Sequence, residues 1–101
     1  MDEIESLPLH DALMKFIRLE WSEAVLEIDL LVFTEREKSA QPHSLRFTGV
    51  YNFQAPHECP WGESNSINGV KRTVKGCEIE MQSGDVLIIE ARSYKFEPRN
   101  L

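Results

Sequence analysis

With 101 residues, 42% of them hydrophobic and 28% charged, the chain makes one ordinary domain, too short for two and too apolar for disorder. Seventeen acids against eleven bases give a net charge of −6, which argues against a general nucleic-acid binder, whose surface is basic. No apolar run approaches the roughly eighteen residues of a membrane span, and a core of this size folds without disulfide staples.

The opening Met1-Asp2-Glu3-Ile4-Glu5-Ser6 is acidic where a secretory signal is basic and then apolar. The reading is a cytoplasmic protein, one domain over 1–101, with residues 1–8 as a flexible arm. Charge is uneven: residues 1–39 hold ten acids and four bases, residues 40–101 seven of each. The acid excess is either a solvated surface or a docking face for a basic partner. In Leu9-His10-Asp11-Ala12 the His-Asp neighbours suggest a catalytic dyad. Adjacent residues of an extended chain point to opposite faces, however, so capping or turn formation by Asp11 is preferred.

Residues 13–33 admit two periods. Leu9, Leu13, Ile17, Trp21, Ala24 and Ile28 fit a helical stripe, whereas Leu26, Ile28, Leu30 and Val32 alternate with Glu27, Asp29 and Leu31. A hairpin turning at Ser22-Glu23 sets Leu19 opposite Leu26, Ile17 opposite Ile28, and Arg18 opposite Glu27, an attractive pair. A helix strands Leu19, Leu26 and Leu30 off its stripe. The hairpin is therefore chosen, although Ser-Glu lacks the Gly or Asn of primed turns.

Thr34 to His43 is polar, contains Pro42 and reads as a loop. Leu45, Phe47, Tyr51 and Phe53 give a strand with a bulge at Gly49-Val50. Residues 55–68 are irregular, and Val70–Val74 reads as a short strand. Cys77 to Met81 alternates, Ser83-Gly84 turns, and Val86 to Ile89 follows, apolar throughout and so expected to be covered on both faces. That turn pairs Met81 with Val86 and Ile79 with Ile88. Tyr94-Lys95-Phe96 closes the sheet as an edge strand able to pair two copies into a homodimer. The expected fold is all-β, a small antiparallel sandwich or open barrel of about six to seven strands.

Pro56-His57-Glu58-Cys59-Pro60-Trp61-Gly62-Glu63 concentrates the reactive side chains. His57 and Cys59 are metal-ligand types that Cys77, His43 or His10 could complete, but no zinc spacing is present, and a proline-stiffened loop is preferred. Cys59 with His57 two residues away lacks an orienting group or oxyanion hole for nucleophilic chemistry. Lys71, Arg72 and Lys75 form one basic cluster without a phosphate-loop ending and read as a solvated hairpin. Trp21 and Trp61 read as core or rim packing. Cys59 and Cys77 read as free thiols, with one disulfide left open by the sequence.

Leu9-His10-Asp11-Ala12 with Trp21 after a first strand resembles the start of small bacterial immunity proteins of polymorphic toxin systems, over about a quarter of the chain. That resemblance implies a non-catalytic protein that binds and blocks a cognate toxin. Pro60-Trp61-Gly62 and Glu80 to Asp85 are similar to segments of uncharacterised bacterial proteins. His57-Glu58-Cys59 with Glu63, and Gly84-Asp85-Val86-Leu87-Ile88-Ile89, resemble the two cupin motifs. Glu90, Arg92 and Lys95 stand where the second motif has proline, glycine and a ligand histidine, so that resemblance implies a barrel short of one metal ligand.

The expectation is a cytoplasmic protein-interaction module without catalytic residues, cofactor, nucleic acid or membrane. It would present Glu20, Glu23, Glu27 and Asp29 of its acidic hairpin to a basic protein. The alternative is a cupin-like barrel binding a small molecule or metal around His57, Cys59 and Glu63.

Overall fold

The structure, a computed structural model, describes residues 1–34 and 39–99. It is all-β, with eight strands among the described residues: β1 (Leu13–Glu20), β2 (Val25–Val32), β3 (Gln41–Thr48), β4 (Asn52–Gln54), β5 (Ile67–Arg72), β6 (Gly76–Met81), β7 (Val86–Glu90) and β8 (Ser93–Pro98). They form two antiparallel four-stranded sheets, ordered β1-β2-β3-β8 and β4-β7-β6-β5, that stay open rather than closing into a barrel. The one helical element among the described residues is a 3₁₀ turn at Ile4–Ser6.

The first hairpin takes the register that alternation and charge pairing predict. Leu19 faces Leu26, Ile17 faces Ile28, and Arg18 faces Glu27, with a bulge between Met14 and Phe16. Its turn solves the missing glycine in another way. The Ala24 amide donates to the Trp21 carbonyl at 3.3 Å, and Ala24 itself takes the left-handed conformation, φ 54°. A turn followed by one left-handed residue matches strand twist without a primed turn, at a steric cost to any side chain there.

Four expectations shift. Leu45–Phe53 is not one bulged strand but β3 and β4, on different sheets. Gly49-Val50 is the crossover: Val50 donates to Ala24 of the first sheet and Tyr51 to Glu90 of the second. The second hairpin slips by one residue. Its loop is Gln82-Ser83-Gly84 with Gly84 left-handed at φ 92°, so Ile79 faces Leu87 and Glu80 faces Val86. The slip turns Val86 and Ile88 to the outer, half-buried face while Leu87 and Ile89 enter the core. Val74 lies beyond β5 and is fully exposed in the turn to β6. Of the expected loop over Thr34–His43, residues 35–38 lie outside the described residues and Gln41–His43 belong to β3. β8 is the edge strand expected of Tyr94–Phe96.

The core is the two inner faces: Leu26, Ile28, Leu30 and Val32 of β2 with Leu45 and Phe47 of β3, against Cys77, Ile79, Leu87 and Ile89 of β6 and β7. Each fully buried aliphatic contributes about 1.5–3 kcal/mol. Residues 1–8 are no free arm. Ile4 is fully buried, Asp2 and Glu5 bond Arg72 of β5, and burial followed by the charges of Glu3 and Asp2 pushes the Tyr94 hydroxyl of β8 up. The N-terminal segment thus closes the flank between β5 and β8.

Replacing Ala24 by Gly removes the left-handed penalty and is expected to add about 1 kcal/mol, a few degrees in melting temperature. Gly76→Ala is expected to do the opposite, by about 3 kcal/mol, because its new Cβ would run into the Ile89 carbonyl oxygen. Thermal unfolding of the two variants checks both signs.

Candidate functional site

The acidic hairpin divides into an internal and an external pair. Asp29, on the outward face of β2, is nonetheless 3% exposed, because one of its carboxylate oxygens accepts Arg18 at 2.6 Å and Arg99 at 2.8 Å. Its other oxygen is buried without a hydrogen-bond partner among the described residues. Glu27 is half-buried and meets Arg18 at 3.2 Å. Hydrogen bonds from Arg18 to Asp29 and then to Glu27 push the guanidinium further toward its charged form. Asp29 and Glu27 are therefore spent within the sheet, and Asp29 does not stand on a docking surface.

Glu20 and Glu23 remain exposed, at the tip. Between them Trp21 is 86% exposed, and Tyr51, from the crossover into β4, is 59% exposed. Leu19, Trp21, Ala24, Val50, Tyr51 and Phe53 border a shallow cavity of about 440 Å³. Neither tryptophan packs in the core. Trp61 is 71% exposed too, lying over Gly84, where an added Cβ would come within 2.7 Å of its ring. The signal for Trp21 was its setting in the sequence, a large ring between Glu20 and Ser22-Glu23 on a turn. Tyr51 carried no signal, because the chain's change of sheet there is not written in its pattern.

The His57–Glu63 segment is held by Asp85. Its carboxylate accepts the Ser83 hydroxyl at 2.7 Å, the Glu58 amide at 2.8 Å and the Cys59 amide at 3.1 Å. The Trp61 amide donates to the Ser83 carbonyl at 2.9 Å. The Ser83 hydroxyl, with the two amides, keeps the Asp85 carboxyl below the usual carboxylate range. This clamp turns the loop into a fixed cover for the β6–β7 turn. Cys59, half-buried, has its thiol pushed up by burial and by the charges of Asp85 and Glu63. A nucleophilic thiolate needs the reverse surroundings. Cys77 is fully buried, its thiol pushed up to about 12 by burial.

His57 and Glu63 are exposed. His43 is buried on β3, its ring stacked on Phe96 at 4.8 Å. His10 reaches the Asn68 carbonyl at 2.7 Å. Among the described residues no three His, Cys, Asp or Glu side chains converge to hold a metal ion. His57 does border a second cavity, about 390 Å³, between Met14–Ile17 of β1 and the segment after β4, with Met81 and Leu87 at its floor.

Leu9-His10-Asp11-Ala12 is a structural corner. Leu9 and Ala12 are buried, Asp11 is left-handed at φ 66°, and its carboxylate accepts the Gln82 side-chain amide at 2.7 Å. That bend brings His10 Nε2 to 3.5 Å from Asp11 Oδ2, against the expectation for an extended chain, but both groups are exposed and bonded elsewhere to the fold. In the basic cluster, Arg72 pairs with Asp2 at 2.9 Å, and Lys71 faces Glu78 across β5 and β6.

No helix among the described residues is long and apolar enough to cross a membrane. Comparison with family models, with curated proteins and with solved structures finds no match to this chain.

Because the folded Asp85 carboxyl titrates below its unfolded value of about 3.9, its stabilisation is complete above that pH and is lost as pH falls through the lowered folded value. Asp85→Asn is expected to lower the melting temperature by several degrees at pH 7, with the gap to the parent closing toward pH 2. Melting curves across that range test the sign. With iodoacetamide at pH 8, Cys59 is expected to react more slowly than free cysteine, and Cys77 not at all until the chain unfolds.

Proposed function

We propose that this protein is a non-catalytic interaction module, immunity-like in role, that binds a basic protein through the tip of its β1–β2 hairpin. The observation that carries this reading is Trp21, 86% exposed between Glu20 and Glu23 and beside the exposed Tyr51. Tryptophan and tyrosine supply large contact area with few rotatable bonds and recur at the centres of interfaces. Acids around exposed rings suit a partner's arginine or lysine, which is drawn by the charge and stacks on the ring face. The acidic set of the expected surface narrows to Glu20 and Glu23, since Glu27 and Asp29 already hold Arg18 and Arg99.

A second reading, a small-molecule site near His57, has the cavity of about 390 Å³ in its favour. Its size falls within the usual range for ligand pockets. Cys59 and Glu63 are not among its walls, so the cupin-like triad does not act as one set there.

The test is native mass spectrometry of the tagged protein drawn gently from its own cells, followed by binding kinetics with whatever basic protein accompanies it. Glu20→Lys with Glu23→Lys is expected to slow association about tenfold at low salt and to flatten its salt dependence. Trp21→Ala is expected to act on dissociation, costing about 2 kcal/mol. Unchanged kinetics in both variants would sink the reading. A bound small molecule lost on His57→Ala would move the assignment to the cavity.

A further inference from the structure

The basic-partner reading says where contact begins; the rest of β1 says what form the partner takes. β1 is the edge of its sheet, and the one named strand it pairs with among the described residues is β2. On its other side the described contacts are the Leu13–Ser66 bridge and the Met14 amide donating to Asn65. From Lys15 to Glu20 that edge meets no further strand among the described residues. An open strand edge is a row of backbone donors and acceptors ready to template another strand.

The side chains tell the same story. Ile17 and Leu19 share the inward face with Ile28 and Leu26, their cross-strand partners. The two partners are fully buried, whereas Ile17 is half-buried and Leu19 is 40% exposed. On the facing sheet β4 is only three residues long, and its Asn52 and Phe53 meet Leu19 across a cavity rather than in close packing. The flank is left with two cavities bordered by successive parts of β1 and its turn, about 390 Å³ beside Met14–Ile17 and about 440 Å³ beside Leu19 and Trp21. Glu20 and Glu23 lie at one end, and the exposed Glu58 and Glu63 belong to the loop that borders the other. Lys15 is the one base of β1 outside the Asp29 network.

We infer that the partner binds by strand addition: an extended basic segment pairs with β1 along Lys15–Glu20 and sets alternate apolar side chains into the two cavities. The period of two in a strand matches the spacing of Ile17 and Leu19, which form the inner wall. A second copy of this chain would bring the same acids and a net charge of −6 to the seam, whereas a basic segment complements them. The inference rests on the basic-partner reading and adds the partner's conformation and its pattern.

The experiment uses the full chain and a labelled ten-residue peptide alternating valine and lysine. Its controls are a valine–glutamate counterpart and a copy with every backbone N–H methylated. Anisotropy is expected to show binding of the lysine peptide and at least tenfold weaker binding of both controls. Amide exchange is expected to slow at Lys15–Glu20 on binding. Leu19→Lys, which places a charge in the seam, is expected to weaken binding tenfold while the circular dichroism spectrum stays unchanged. Equal binding by the methylated peptide, or no protection of Lys15–Glu20, overturns strand addition. Should that binding still fall with Trp21→Ala or the Glu20 and Glu23 reversals, the tip reading stands without it. Equal binding by the glutamate peptide removes the charge argument from both. A dimer in sedimentation with Lys15–Glu20 already protected overturns the proposal in favour of self-association.

Discussion

Two four-stranded sheets stacked face to face have two lateral flanks, and the apolar inner faces must be covered at each. Here the two are covered unequally, and much else follows from that. At the β5–β8 flank the N-terminal segment supplies Ile4 and Leu9 to the core and bonds Arg72 through Asp2 and Glu5. At the β1–β4 flank nothing comparable is present among the described residues. β4 stops after Gln54, and the chain leaves for the clamped 56–63 loop. The half-buried Ile17, the exposed Leu19 and the two cavities that border β1 all lie on this flank. On the proposed reading, this uncovered flank is the surface that meets the partner.

The charge asymmetry is resolved in the same way, by asking what each acid touches. Asp2 pairs with the Arg72 guanidinium and Glu5 accepts the Arg72 amide; Glu27 and Asp29 neutralise Arg18 and Arg99. Asp29 shows why burial of a charge is tolerated only with partners: two guanidinium groups share one oxygen, and removing either side of such a pair leaves an uncompensated charge in a poorly solvated place. Of these acids only Asp29 is buried; Asp2 and Glu5 make their contacts at the surface. Glu20, at the end of β1, and Glu23, in the turn after it, are the exposed acids of the hairpin itself.

What the sequence made legible was local and paired. The β1–β2 register could be read because cross-strand charge and apolar matching agreed on one alignment, Arg18 with Glu27 and Leu19 with Leu26. The β6–β7 register could not. Val86 to Ile89 is apolar at every position, so no face is marked, and the hairpin loop uses Gly84 as its third residue rather than its second. The sheet change at Gly49-Val50 left only a slip in the alternation, which reads equally well as a bulge within one strand. Of the candidate site, the hairpin acids were found by charge counting, but a count does not tell Glu23 from Asp29. That distinction depends on Arg99, seventy residues further along the chain.

The Leu9-His10-Asp11-Ala12 motif bears on how far the immunity-like resemblance reaches. Every residue of it has structural work: Leu9 and Ala12 in the core, Asp11 at a left-handed bend bonded to Gln82, and His10 on the Asn68 carbonyl. Together they turn the chain from the β5 flank into β1, where Leu13 bridges Ser66. A likeness carried by such a corner concerns how the first strand is launched, and that is the strand whose far edge stands open. The corner fixes where β1 begins and on which flank it runs, and β1 in turn carries Leu19 and Trp21 to the tip. Placing β1 is therefore its structural role, and on the proposed reading recognition falls to the exposed Glu20, Trp21 and Glu23 at the tip.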